Sequence, residues 1–403
     1  MTSMTAFSQD DGAGLRDALL KEDLAAIRAA VDGAREKLAG KAGEPEVPDQ
    51  FQRMPDDAKA LTSQEARQAW DASFRRLESL RFWEVGSDPA KLTAPLRAPA
   101  SVIDCMVAIH AAGLDAEDKA LNAARDAAAF LMWAQAQAGA GCYPFPAARG
   151  TSKAKAMQVA TRFLDQAERS GRLQEVVRNG WAFDDADNGG LQFDNAECGV
   201  AMLGLYELTH DQRYLESALK AADWAFARTL VPNWNYNSFS VHLLAKAYSV
   251  TRQDRYLQGA LKKALLGVMP GQLVDGVNAG RWIDPHNACP PYHYIMLAAL
   301  AQLAAELPPS HPDRPAVMAT LTLGLKARNS EILDRGVMSK DKPVECLMLV
   351  TRLFAQDDSF LKESRTAEAL DTLVRFASDQ ARKGRLPLGP RAWGEMLAWT
   401  TRS

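Results

Sequence analysis

Two stretches that repeat one another decide how this chain is read: residues 205–219, LYELTHDQRYLESAL, and residues 247–261, AYSVTRQDRYLQGAL. Tyr206 and Tyr248 stand 42 residues apart, as do Tyr214 and Tyr256, and Leu215 with Ala218-Leu219 recurs as Leu257 with Ala260-Leu261. Each copy reads as helix, short polar turn, helix, so one period corresponds to one helical hairpin. The second helices run into longer segments rich in Pro, Gly, Asn or aromatic residues, at Ala138–Arg149, Val231–Asn237 and Val268–Pro291.

Short turns at one end and chemically rich loops at the other imply helical hairpins set around an axis, with function on the long-loop side. The fold class expected is all-α, an (α/α) toroid or barrel of helical hairpins. An open solenoid of HEAT or tetratricopeptide type is the alternative, but such solenoids keep a more regular period and simpler connections. Outward from the repeat, helical patterns alternate with loops from Ser63 onward, and no long β-branched run of period two interrupts them. Leu15, Leu19, Leu24, Ile27 and Val31 predict one amphipathic opening helix between about Gly12 and Leu38, ended by the segment around Gly43–Pro48. Residues 1–60 are thus expected to form an N-terminal helical extension and residues 61–403 a single toroid domain. The segment Trp393–Trp399 is expected to pack back on the helical ring, while Arg328 and Arg335 read as surface arginines.

Composition narrows the partners. A formal charge of only -3 over 403 residues gives no general attraction to nucleic acid or an anionic membrane. No stretch approaches the roughly 18 apolar residues of a membrane span. No lysine-flanked apolar run opens the chain, so it reads as cytoplasmic, or as secreted or periplasmic if a signal peptide has been removed. Cys105, Cys142, Cys198, Cys289 and Cys346 are odd in number and contain no CxxC pair, as expected of buried or half-buried thiols. Nothing resembles a P-loop or dinucleotide fingerprint, so no nucleotide or redox cofactor is expected.

Chemistry concentrates in three places. The first is Asn179–Glu197, NGWAFDDADNGGLQFDNAE, which carries Trp181, Asp184, Asp185, Asp187, Asp194 and Glu197 ahead of an apolar helical run. A helix starting near Asp194 would make Asp194 its N-cap and Glu197 part of a capping box, while the three earlier aspartates fit a solvated turn or a site for sugar hydroxyls. The second is Pro232–Asn237, ahead of the helix carrying His242. Trp234 and Tyr236 offer flat apolar faces there, and Asn235 offers a donor and an acceptor to hydroxyls. The third runs from Arg281 to Tyr294: Arg281, Trp282, Asp284 and His286, then Tyr292 and His293, supply a cation, a carboxylate, imidazoles and aromatic stacking faces. His286, Cys289 and His293 have zinc-like spacing, but Pro290 and Pro291 interrupt any helix that would align them. His110 falls in an apolar helical pattern and reads as a core or wall residue.

Phe130-Leu131 with Trp133-Ala134-Gln135, then Gly141-Cys142-Tyr143-Pro144-Phe145-Pro146, then Phe193-Asp194-Asn195 leading into a helix, together resemble the (α/α) toroid polysaccharide lyases, most of all the family 10 pectate lyases. The third motif stands in the reverse of the family order, and Cys142 takes the place of a glycine. Six-hairpin glycosidases and sugar epimerases share similar patterns, so the resemblance constrains the fold more than the chemistry. It implies an oligosaccharide or uronate-containing glycan as partner, and Ca²⁺ as candidate cofactor on Asp184, Asp185 and Asp187. The loop is not an EF-hand, because Ala196 falls where the twelfth-position Glu is required.

These groups match β-elimination on a uronic-acid glycan. A cation must neutralise the carboxylate beside the acidic proton, a role for Arg281 or Arg149, and a base such as His293 or Tyr236 must remove that proton. Tyr143, Arg149, Trp181, Asp194, Trp234, Asn235, Trp282, Asp284, His286 and Tyr292 are the expected substrate contacts. In a hydrolase two carboxylates would act, with Asp185 and Asp284 the pair to test. A helical repeat protein that holds a glycan or peptide without catalysis is the reading from a different class.

Overall fold

The structure is a computed structural model, and it describes residues 9–38, 51–79, 81–115, 117–149, 155–185, 189–283 and 290–401. In chain order the α-helices are α1 (Gln9–Leu20), α2 (Leu24–Leu38), α3 (Ser63–Ser79), α4 (Arg97–Ala111), α5 (Lys119–Ala138), α6 (Lys155–Arg169), α7 (Leu173–Val176), α8 (Gly190–Thr209) and α9 (Gln212–Ala227). They continue as α10 (Trp234–Thr251), α11 (Asp254–Gly267), α12 (Pro290–Glu306), α13 (Arg314–Arg335), α14 (Asp341–Leu353), α15 (Asp358–Glu363), α16 (Thr366–Arg382) and α17 (Pro390–Thr400). Among the described residues are also three two-residue strands, β1 (Phe145–Pro146), β2 (Val177–Arg178) and β3 (Trp181–Ala182), antiparallel in the order β1-β3-β2. The fold is all-α, as the hairpin repeat predicts.

The repeat holds down to its turn. His210 and Arg252 occupy equivalent places between the helices of α8–α9 and α10–α11, and both adopt left-handed backbone, at φ 58° and 56°. This conformation ends one helix and lets the next run back beside it. Asp211 then caps α9 by accepting from the Arg213 amide at 3.0 Å.

The chain divides into two compact units, one of residues 1–61, 229–249 and 253–388, the other of residues 62–228, 250–252 and 389–403. In the second unit α4 packs against α5, α8 and α17. The last helix of the chain therefore returns to the first hairpin of its unit, as expected for Trp393–Trp399. Close approach makes this possible: a Cβ on Gly394 of α17 would stand 2.6 Å from the Cα of Cys105 on α4, so only glycine fits. Trp393 adds a hydrogen bond from its indole to Ser73 Oγ of α3, 3.0 Å away.

Burial separates two kinds of helix. On α9 the buried side chains are Tyr214, Ser217, Ala218, Ala221, Ala222 and Ala225, a single stripe at helical spacing. On α8 burial is nearly continuous and includes Gln192, Asp194, Asn195 and Glu197. Buried polar groups need partners, and Asp194, Asn195 and Glu197 find them in Arg97, in the Tyr143 amide and Ala221 carbonyl, and in Arg391. The aromatic ring of Trp181 on β3 packs edge-on against Phe130 and Trp133 of α5.

In the first unit α12 packs on α13 and α14, and α16 packs on α13 and α14. The opening segment differs from the single helix predicted: it is the hairpin α1–α2. Glu22 turns left-handed at φ 56°, and Asp23 accepts from the Ala26 amide at 3.1 Å to start α2. The five-residue step from Leu19 to Leu24 is where the helical rhythm breaks. The apolar residues read from the sequence are nevertheless the packed ones, with Leu15, Leu19, Ile27 and Val31 all buried.

Candidate active site

The acidic segment ahead of α8 is organised by an arginine. Asp185 accepts from the Leu191 amide at 2.8 Å and from Arg228 Nη2 at 2.9 Å, so it caps the helix and holds a cation with its two oxygens. Asp184 lies 3.8 Å from the same guanidinium, which stacks on Trp224. Asp187 lies outside the described residues.

Because Asp185 and the left-handed Gly189 begin α8 at Gly190, the helix starts four residues earlier than Asp194. Asp194 and Glu197 are therefore not the N-cap and capping-box pair that the sequence suggests. They sit inside the helix, one turn apart, and both are buried. Asp194 accepts from Arg97 Nη1 at 2.5 Å and from the Arg97 amide at 3.3 Å. Arg97 opens α4, and its guanidinium lies 4.5 Å from the centre of the Phe193 ring. Burial raises the Asp194 carboxyl above its ordinary range, against the pull of Arg97.

One turn further along α8, Glu197 pairs with Nη1 of Arg391 on α17. The same guanidinium donates from Nε to Asp104 of α4 at 2.6 Å. Three helices thus deliver two carboxylates to one cation. Asp104 keeps 16% of its side chain exposed, yet burial dominates its chemistry: desolvation, helped by Glu197 and Glu395, pushes it up to about 6 despite Arg391. A carboxyl at that value can hold a proton near neutral pH and give it up, beside a second carboxylate.

The substrate contacts read from the sequence lie as follows in this unit. Tyr143 is buried, its phenol 2.7 Å from Ser217 Oγ and its amide donating to Asn195 Oδ1 at 3.0 Å. Trp181 is buried in its aromatic cluster. Arg149 is partly exposed and pairs with Glu168 at 2.7 Å.

The first unit holds a second buried polar group. His293 of α12 is fully buried, with the Trp282 ring edge-on at 5.4 Å, and its Nδ1 accepts from Arg328 Nε at 2.7 Å. Burial first, then Arg328 and Arg281, lower its pKa well below the histidine range, so it is neutral. Arg328 is not at the surface as predicted but buried, because His293 and Glu331 take its charge and its hydrogen bonds. Arg281 and Arg335 each approach the same Glu331 at 3.4 Å.

Trp234, Asn235 and Tyr236 belong to the first turn of α10 rather than to a loop, since Asn233 accepts from the Tyr236 amide at 3.1 Å and so caps the helix. Trp234 and Trp282 are buried and donate to the Ile283 and Val268 carbonyls at 2.7 and 2.9 Å. Asn235 is buried, whereas Tyr236 and Tyr292 are half-buried. Asp284, His286 and Cys289 lie outside the described residues.

Asp104, Arg97 and Arg391 were not singled out from the sequence. The signal for Asp104 is a carboxylate set directly among Val102, Ile103, Cys105 and Met106, an apolar stretch where an ionisable group is rarely buried without a purpose.

No protein-family model and no curated relative matches the sequence. Solved structures do match. A glycosyl hydrolase family 88 protein from Bacteroides vulgatus is 12% identical over 85% of this chain and 99% of its own, with a TM-score of 0.51. A polysaccharide lyase is 13% identical over 84% of this chain and 97% of its own, with a TM-score of 0.50. This likeness, at an identity too low to carry chemistry, establishes the fold as the (α/α) toroid class shared with carbohydrate-active enzymes.

Proposed function

We propose that this protein is a carbohydrate-active enzyme that cleaves glycosidic bonds by general acid–base catalysis, with Asp104 and Glu197 as the reacting pair. The observation that supports it is Arg391, one guanidinium on α17 that holds a carboxylate from α4 and another from α8. Asp104, pushed up to about 6, donates its proton to the departing glycosidic oxygen. Glu197, paired with Arg391, takes the proton of the attacking water or attacks the sugar carbon itself. Arg97 and Asp194 fix the mouth of α4 against α8 beside this pair.

A second reading is β-elimination on a uronate glycan. Arg97 favours it: a quarter of its side chain is exposed beside the pair, where it could meet a substrate carboxylate. Of the residues read from the sequence for this step, Arg281, Tyr236 and His293 belong to the other unit, and His293 is fully buried with its Nδ1 accepting from Arg328.

One assay separates the two. The purified chain is offered neutral and uronate-containing oligosaccharides, with Ca²⁺ and with chelator, and both new reducing ends and the ultraviolet absorbance of unsaturated uronates are followed. New reducing ends without absorbance, lost in Asp104→Asn, support hydrolysis. Absorbance would move the assignment to a lyase, and silence in both would remove the enzymatic reading.

A further inference from the structure

At the far end of α4 from Arg97, His110 meets two carboxylates that precede α5, and a second set of ligand-type atoms gathers there. His110 Nδ1 lies 3.6 Å from Asp115 Oδ2 and 3.6 Å from Asp118 Oδ1, and the three atoms all fall within 4.8 Å of one another. These spacings are too long for hydrogen bonds. They are close to the roughly 3.4 Å that separates two ligands each about 2.1 Å from a tetrahedral ion. Nδ1 is shielded from solvent and makes no hydrogen bond among the described residues, although the rest of the ring is partly exposed.

The carboxylate most buried in this group is already oriented. Asp115 is 3% exposed, and its Oδ2 accepts from the Ala120 and Leu121 amides at 2.8 and 3.3 Å at the start of α5. Ligating carboxylates held by hydrogen bonds of this kind need little rearrangement when an ion arrives. Arg67 of α3 fixes the same turn by donating to the Gly113 carbonyl at 3.2 Å. Asp118, 67% exposed, faces solvent.

We infer that His110, Asp115 and Asp118 form a binding site for a divalent transition-metal ion, Zn²⁺ best matching one imidazole and two carboxylates. Such an ion would join the C-terminus of α4 to the N-terminus of α5. Imidazole selects against Ca²⁺ and Mg²⁺, which prefer all-oxygen shells. The site stands apart from Asp104 and Glu197 and does not depend on the reaction they perform.

The test is calorimetric titration of the full chain, freed of metal with a chelator, using Zn²⁺, with Mg²⁺ as the control. Co²⁺ is added in parallel to read ligand geometry from its visible spectrum. The wild type is expected to take up one equivalent that His110→Ala abolishes and Asp118→Asn weakens at least tenfold, with a tetrahedral Co²⁺ spectrum lost in the same variants. Asp118 is exposed, so Asp118→Asn keeps the fold, as circular dichroism would verify, even if His110→Ala does not. Absence of Zn²⁺ uptake by the wild type, or uptake unchanged in Asp118→Asn, would overturn the assignment.

Discussion

Asp104 of α4 and Arg391 of α17 form a half-buried ion pair that ties the last helix of the chain to the first hairpin of its unit, 287 residues away in sequence. Glu197 shares the guanidinium, so Arg391 balances two carboxylates at once. Arg391→Met leaves both anions facing each other without a cation. The expected loss is about 3–5 kcal/mol of stability, measured by urea unfolding. Asp104→Asn in the same background is expected to restore part of it, because one of the stranded charges is then gone.

The raised Asp104 sets a pH signature. A carboxyl at about 6 in the folded chain, against 3.8 when free, binds its proton more tightly folded than unfolded. Its contribution to stability is fully present below about pH 4 and is lost as pH rises through about 6. Urea midpoints followed across this window are expected to fall less steeply with rising pH in Asp104→Asn than in the wild type. If Asp104 is the proton donor, kcat falls as pH rises through about 6, and Asp104→Asn loses activity at every pH.

His293 works in the opposite direction. Its pKa is lowered by burial and by Arg328, so the neutral ring contributes stability above the ordinary histidine value of 6.5, and that contribution is lost as pH falls below it. His293→Asn keeps an acceptor for Arg328 but cannot titrate. It is expected to flatten the acid-side loss of stability, and a profile identical to wild type would exclude His293 as the source.

Two glycines make a matched test of packing. Gly394→Ala drives a methyl against the Cα, carbonyl and Sγ of Cys105 at 2.6, 2.8 and 2.9 Å, where backbone cannot step aside. A loss of about 1–3 kcal/mol is expected. Gly204→Ala, inside α8 with nothing within 4 Å, should instead gain roughly 0.5–1 kcal/mol from helix propensity. Thermal unfolding of the two variants reads both signs.

The sequence by itself determined the repeat and much of its detail. Residues 42 apart occupy equivalent places, His210 and Arg252 turn the chain in the same way, and the apolar pattern of Trp393–Trp399 returns its helix to the first hairpin of the unit. These features come from local preference and hydrophobic period, which neighbours along the chain record. The burial of Arg328 was not legible, since an arginine one helical turn from Glu331 reads equally as an exposed surface pair. Helix starts were less so: Asp185 and Gly189 begin α8, and Asn233 begins α10, through single hydrogen bonds that a run of acidic or asparagine residues leaves ambiguous. Only tertiary structure decided which carboxylates matter. Asp104, Glu197 and Arg391 are far apart in sequence and meet because three helices pack side by side, and it is the burial created by that packing, not residue type, that pushes Asp104 up to about 6.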